Sequence, residues 1–377
     1  MLHFSMSRDV FKSQLLITSK AIESKTTMPI LTGVKLLLVE DKLTLTGSNV
    51  DISLITTIDI KDEKADMKVY DKGGIVLDAN FLLKIISSLP EKTFTLEVLE
   101  NSQVHITSGK ADYVVNGLDI ENYPRLPEVT SQKPLTLPLA LVKQVINETV
   151  FAVSKHESKP ILTGVHLMLQ DATLKAVATD SHRLSQRIIT LENDGENFDV
   201  VLPGKSLQHI SSIFGEENEE ITLHITSSQI LFKTENISYY SRLLEGNYPD
   251  TDRLIPSQCS TSVTFETSEI SSAINRASLM SHEGQSNIVR LEIKSGKITL
   301  FGNSPEVGRF DEELSPEKVE GEDLTISFNP DYMKDALRAF GKSHIEIQFI
   351  APIRPFTLRP TEENGEFVQL ITPVRTS

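Results

Sequence analysis

Two short stretches of this 377-residue chain carry the residue types that chemistry uses. Asp180-Ser181-His182-Arg183 groups a carboxylate, a hydroxyl, an imidazole and a cation, the set from which nucleophilic and general acid–base catalysis is built. Pro203-Gly204-Lys205-Ser206, after the apolar run Val200-Val201-Leu202, has the ending of a phosphate-binding P-loop. Neither develops into a catalytic site. Successive side chains of a strand point to opposite faces, so neighbours in sequence do not converge as a triad does. An enzyme using Asp180 and His182 is therefore the alternative reading, set against a strand end whose polar groups close a turn. A third reading makes the stretch a recognition surface, with Arg183 and Leu184 lining a groove for a partner. The P-loop fails on its first glycine. The position five before Gly204 is Asp199, whose carboxylate would repel the phosphates that backbone N–H groups must wrap. No GxSxG, HExxH, paired-cysteine or strand-following GxGxxG pattern occurs elsewhere, and no metal or cofactor is implied.

Behind these stretches stands a repeat. Pro29 and Pro160 open the same Pro-Ile-Leu-Thr-Gly-Val run, a domain-sized interval apart, which signals duplicated domains and not a solenoid. A first helix, with apolar Val10, Phe11, Leu15, Ile17 and Ile22 and Ser7 as its cap, is expected over 7–22, and a second over 78–89. Strands are expected at 34–39 and 42–47, in a hairpin at 95–107, and at 113–118. The order starts again with helices over 138–153 and 203–214, strands at 165–169 and 173–178, and a hairpin through Thr222–Thr234. It starts a third time with helices over 266–281 and 329–342 and strands around a Ser295-Gly296 turn. Asn122-Tyr123-Pro124 and Asn247-Tyr248-Pro249 close the first two rounds. Three α+β domains follow, at 1–128, 129–256 and 257–377, joined by linkers Tyr123–Pro138 and Tyr248–Ser262.

The length is too great for one core, and 39% hydrophobic with 24% charged residues describes an ordinary globular chain. No apolar run reaches a membrane span and the start lacks a signal-peptide pattern. The single cysteine, Cys259, excludes an internal disulfide framework and fits a reducing, cytoplasmic setting. A net charge of −15 argues against a protein that coats nucleic acid, since phosphate neutralisation needs clustered Lys and Arg. Charge placement is uneven, however. The six expected helices hold ten Lys or Arg against seven Asp or Glu, so the net negative charge lies in strands and loops such as 215–220, 315–323 and 361–366. Either loops are simply acidic, or the helices share a face that meets a polyanion; charge alone leaves both open.

The threefold repeat, PILTG followed by TDSHRL, the NYP…RLIP segment at 247–256 and the ending TPVRTS resemble the bacterial DNA sliding clamps, the beta subunits of DNA polymerase III. The resemblance covers the whole chain. It implies a head-to-tail homodimeric ring with helices lining the hole and antiparallel sheets outside. Such a ring encircles duplex DNA without reading its sequence and tethers polymerases, a clamp-loader ATPase and repair proteins. Three sites follow from it. A partner-peptide groove between the second and third domains would use Leu162, Thr179, Ser181, His182, Arg183, Leu184, Pro249, Arg253, Leu254, Asn329, Tyr332, Ile353, Pro355, Pro373, Val374 and Arg375, and would accept short peptides with Gln and Leu/Phe anchors. Thr372, where the family has Met or Leu, makes one wall less apolar. The DNA face would include Lys25, Lys155, His156, Lys159 and Lys205. The dimer contact would pair the edge strand holding Lys110, Tyr113 and Val115 with Leu279, Met280 and the strand from Lys297 to Phe301.

Overall fold

The computed structural model describes residues 1–377 except 127, 157, 193–194, 216–219, 284–286, 305, 307, 363–365 and 376–377. Among the described residues six α-helices lie where the periodicity places them: α1 (Arg8–Thr18), α2 (Ala79–Ser88), α3 (Leu139–Thr149), α4 (Gly204–Ile213), α5 (Thr267–Glu283) and α6 (Pro330–Phe340). Their starts follow from capping. Ser7 accepts from the Val10 N–H at 3.5 Å, Asp78 from that of Phe81 at 2.7 Å, and Asn329 from that of Asp331 at 2.8 Å, with Pro330 at the first helical position. α1 and α3 end in 3₁₀ turns, Ser19–Ala21 and Val150–Ala152.

The repeated PILTG run has a physical reading. Pro29 and Pro160 open 3₁₀ turns, and the Thr32 and Thr163 hydroxyls donate back to the carbonyls of those prolines at 2.8 and 2.7 Å. Leu31 and Leu162 point inward, 4% and 5% exposed. The glycine that follows has no room for a side chain: a Cβ at Gly33 would lie 2.5 Å from a Val76 methyl, and one at Gly164 2.6 Å from the Leu202 carbonyl. The Asn-Tyr-Pro triplets also work as plugs. Tyr123 is buried with Leu31 and Val76, and Tyr248 packs on Val177, Leu184 and Leu370.

Two compact units form, Met1–Ala140 with His209–Leu243, and Leu141–Gln208 with Leu244–Ser377. In the first, a five-stranded sheet runs in the order Lys68–Asp71, His3–Ser7, Thr93–Val98, Gln103–Ser108, Ala111–Asn116. An eight-stranded sheet joins the first repeat to part of the second, because Ile237–Arg242 pairs antiparallel with Ile52–Asp59, Ile237 opposite Thr56. Its core centres on Phe4, Phe11 and Phe94, whose rings stand 5.1 to 6.4 Å apart. In the second unit, a nine-stranded sheet joins the remainder of the second repeat to the third through Arg183–Thr190 and Glu366–Ile371, with Arg183 opposite Ile371. A four-stranded sheet runs Gly308–Leu314, Lys297–Ser304, Val289–Lys294, Leu324–Phe328. Three sequence repeats thus make two compact units, since the middle repeat lends strands to the sheets of both its neighbours.

Several expectations are corrected. The strand Lys297–Ser304 is flanked on both sides, by Val289–Lys294 and Gly308–Leu314, so its ladder is already satisfied and it cannot offer a free edge. Both expected linkers end in strand: Leu135–Pro138 and the start of Thr261–Glu266. The acidic stretch 315–323 contains an edge strand, Lys318–Gly321. Most of 215–220 lies outside the described residues, as does the middle of 361–366. Arg183–Thr190 escapes a period-2 reading because Arg183, Leu184, Ser185, Gln186 and Arg187 are all buried, leaving no exposed face to alternate with. The Ser295-Gly296 turn is present, with φ of 50° and 77° as a two-residue hairpin requires.

Candidate functional site

The stretch from Thr179 to Arg183 is the hairpin turn between Thr173–Thr179 and Arg183–Thr190, and its polar groups are spent on holding that turn. One Asp180 oxygen accepts from the backbone N–H groups of His182 and Arg183 at 2.9 and 3.0 Å. The Thr179 hydroxyl donates to the Arg183 carbonyl at 2.6 Å, and Ser181 adopts φ 78° at the tip. Beneath it the Tyr248 hydroxyl accepts the Thr179 N–H at 3.1 Å; burial pushes that phenol well above its ordinary pKa and keeps it protonated. Asp180 therefore cannot serve His182 as a catalytic partner. The second lead closes in the same way. Gly204 begins α4 directly after the strand Phe198–Pro203, and the Asp199 carboxylate holds the His166 ring at 2.6 Å. Among the described residues no three His, Cys, Asp or Glu side chains cluster as metal ligands.

Arg183 is 6% exposed and each of its three guanidinium nitrogens makes a hydrogen bond. Nε donates to Asp180 at 3.0 Å, one terminal nitrogen to Asp335 at 2.8 Å and the other to the Phe151 carbonyl at 2.7 Å. Its flat face lies over the Tyr332 ring, 4.7 Å from the centroid. His182 stacks near Tyr332 at 6.3 Å with planes 17° apart. The chain end comes to the same place: the Thr372 N–H donates to the His182 carbonyl at 2.9 Å and the Val374 N–H to that of Ser327 at 2.7 Å. Val177, Leu184 and Leu370 make a small apolar cluster separate from the main cores, with Tyr248 and Ile255 packed against it.

The expected groove residues fall into three groups. Leu162, Thr179, Arg183 and Leu184 are buried and form structure beneath the surface; Asn329, Tyr332, Pro355, Pro373 and Val374 are half-buried. Ser181, His182, Pro249, Arg253, Leu254, Ile353 and Arg375 are exposed, Leu254 at 52% and Ile353 at 61%. The hydrogen bonds and ring contacts bring Thr179, His182, Arg183, Tyr332 and the 372–374 segment together, and Asn329 caps the helix that carries Tyr332. Pro249, Arg253 and Leu254 follow Tyr248 in its own segment, where Arg253 pairs with Asp250 at 3.0 Å. Sequence reasoning missed Asp335, Phe151 and Tyr248. The last was visible as the repeated Asn-Tyr-Pro; the others have no signal beyond Asp335 lying one helical turn after Tyr332.

Lys25, Lys155, His156, Lys159 and Lys205 are all exposed. Lys155, His156 and Lys159 sit in the loop after α3, and Lys205 in the first turn of α4. Ala111–Asn116, with Tyr113 and Val115 half-buried against the core, is the last strand of its sheet and, among the described residues, has one edge unpaired. Leu279 on α5 is 62% exposed beside half-buried Met280.

A buried pair lies behind the site. Glu148 on α3 stands 3.4 Å from Arg187, 7% exposed like its partner. Burial raises the Glu148 carboxyl pKa, with the Gln144 hydrogen bond and Arg187 opposing it. A carboxyl raised in the folded state contributes stability that is present below its unfolded pKa and lost as pH climbs through the folded value. Glu148→Gln, which cannot ionise, should therefore gain stability relative to the parent between about pH 4 and about pH 8. Urea unfolding of both proteins at the two pH values checks this; a difference independent of pH would refute it.

Comparison with known proteins covers the whole chain. The family models for the N-terminal, central and C-terminal domains of the DNA polymerase III beta subunit match residues 2–127, 136–250 and 252–375. The chain is 47% identical over 378 residues to the beta sliding clamp of Streptococcus pneumoniae strain R6 and 41% identical to that of Bacillus subtilis, with 100% and 99% of each chain covered. The crystal structure of the DNA polymerase III beta chain from Streptococcus pneumoniae TIGR4 superimposes with a TM-score of 0.97 at 46% identity, covering 100% of both chains. That of the Bacillus subtilis sliding clamp gives 0.96 at 41% identity, again over 100% of both.

Proposed function

We infer the function from kinship: the chain belongs to the DNA polymerase III beta subunit family, the beta sliding clamps, and is a processivity clamp and not an enzyme. We propose that two copies close head to tail into a ring of six domains, bounded in each chain near 1–128, 129–256 and 257–377, that encircles duplex DNA in the cytoplasm. Residence on DNA then comes from topology, so the −15 charge is no obstacle. Exposed Lys25, Lys155, His156, Lys159 and Lys205 need only meet phosphates loosely. Lys110, Tyr113 and Val115 on the unpaired edge would face Leu279 and Met280 of the second copy; because Lys297–Ser304 is internal, the available edge beside those residues is Gly308–Leu314.

The turn, Tyr332 and the chain end, with exposed Leu254 and Ile353, make the groove for peptides with Gln and Leu/Phe anchors. Through it the replicative polymerase, the loader ATPase and repair proteins would be tethered. The full-length match to sliding clamps is the observation that carries the reading. Its test is retention: load the protein on a nicked circle with a matched loader and ATP, isolate the complex, then linearise the circle. Loss from the free ends after stable retention on the circle is expected. Persistence on linear DNA would mean ordinary affinity, and failure to load with a loader active on a known clamp would remove the reading.

A further inference from the structure

The geometry points to Arg183 and Asp335 as positioning residues for the groove: an ion cluster around the buried Arg183 that sets the Tyr332–His182 wall without touching the peptide. The inference rests on the reading of this face as a peptide groove. Arg183 already uses each of its three guanidinium nitrogens to donate to a partner within the chain. Its three polar directions end on Asp180, Asp335 and the Phe151 carbonyl, all at 3.0 Å or less. The remaining recognition feature of a guanidinium, its face, is covered by the Tyr332 ring at 4.7 Å.

What the cluster does is join separate pieces of chain. Asp180 belongs to the turn that carries His182, Phe151 to the 3₁₀ turn after α3, and Asp335 to α6, one turn from Tyr332. Arg338, a further turn along α6, reaches the second Asp335 oxygen at 3.3 Å, so the carboxylate is held from both sides. The cluster thus fixes α6 and the turn together, and with them the stack of His182 on Tyr332. Without it, each ring keeps its rotamers and the wall exists only in part of the population.

That mechanism separates positioning from contact. A residue that touches the peptide slows dissociation when present. A residue that only assembles the wall changes the competent fraction, so its loss lowers apparent affinity through association. Asp335→Asn is nearly isosteric and keeps the fold, and Arg183→Lys keeps the charge but not the fork. A fluorescein-labelled peptide carrying Gln and Leu-Phe anchors is mixed with the full-length protein in a stopped-flow instrument, and melting temperatures are recorded alongside. The expected result is that each variant binds about tenfold more weakly through slower association, with dissociation within about twofold of the parent, well below the melting transition. The double variant should lose little more than either single one, because both break one cluster. A lowered melting temperature with unchanged affinity would overturn the inference by making the cluster merely structural. Faster dissociation with unchanged association would overturn it by making Arg183 a contact. No binding by the parent chain would remove the groove itself.

Discussion

Leu279→Glu with Met280→Glu should convert the proposed dimer to monomers. Leu279 is 62% exposed on α5 and Met280 half-buried beside it, an apolar pair at the surface next to the edge strand Gly308–Leu314. In a head-to-tail ring the same pair occurs in both interfaces, so each substitution acts twice. Burying an unpaired carboxylate costs several kcal/mol even after relaxation, and two per interface exceed what an edge-to-edge contact is expected to return. Light scattering should then give the mass of one 42.0 kDa chain where the parent gives twice that. Since Leu279 is exposed and Met280 only half-buried in the single chain, the monomer should still fold and melt cooperatively. A variant of unaltered mass would remove this face from the dimer contact.

Arg183→Ala is the substitution with the largest expected cost to folding. It takes from Asp180 and Asp335 the cation they share, leaving Asp335 with Arg338 alone, and takes away the donor to the Phe151 carbonyl. Removing one partner of a buried pair costs about 3–5 kcal/mol, far more than the pair itself contributes. Chemical denaturation should show a loss of that size in the transition that reports the unit containing residues 141–208 and 244–377. Arg253→Ala is the natural comparison. That side chain is 87% exposed, its pairing with Asp250 is solvent-screened, and its removal should leave folding unchanged. Equal, small effects for both would mean that Arg183 is not the keystone its contacts describe.

The contrast between those two arginines marks where reading the chain alone stops. Helix positions were legible because an amphipathic helix writes its core face into the sequence every three to four residues, and Ser7, Asp78 and Asn329 write its start. The repeats were legible because PILTG and NYP are local solutions: a proline-opened turn, a threonine that closes it, a glycine with no room for Cβ, and a tyrosine plug. The hairpin at Ser295-Gly296 follows from turn chemistry in the same way. The likeness to sliding clamps was equally a property of local motifs in order, and with it the class of function.

Tertiary structure alone decided the rest. Whether a strand is internal or at an edge depends on neighbours far along the chain; nothing within Lys297–Phe301 says that Gly308–Leu314 will cover it. The strand Arg183–Thr190 is polar by composition and buried by circumstance, since Arg183, Ser185 and Arg187 meet ion-pair or hydrogen-bond partners on other elements, and so it lacks the alternation that would announce it. Which sheets the middle repeat extends is settled by pairings of Ile237–Arg242 and Arg183–Thr190 with strands of other repeats, and no local pattern encodes them. The roles of the two arginines differ for the same reason. Side-chain type comes with the residue, but burial, partners and therefore energy come from what the fold brings against it.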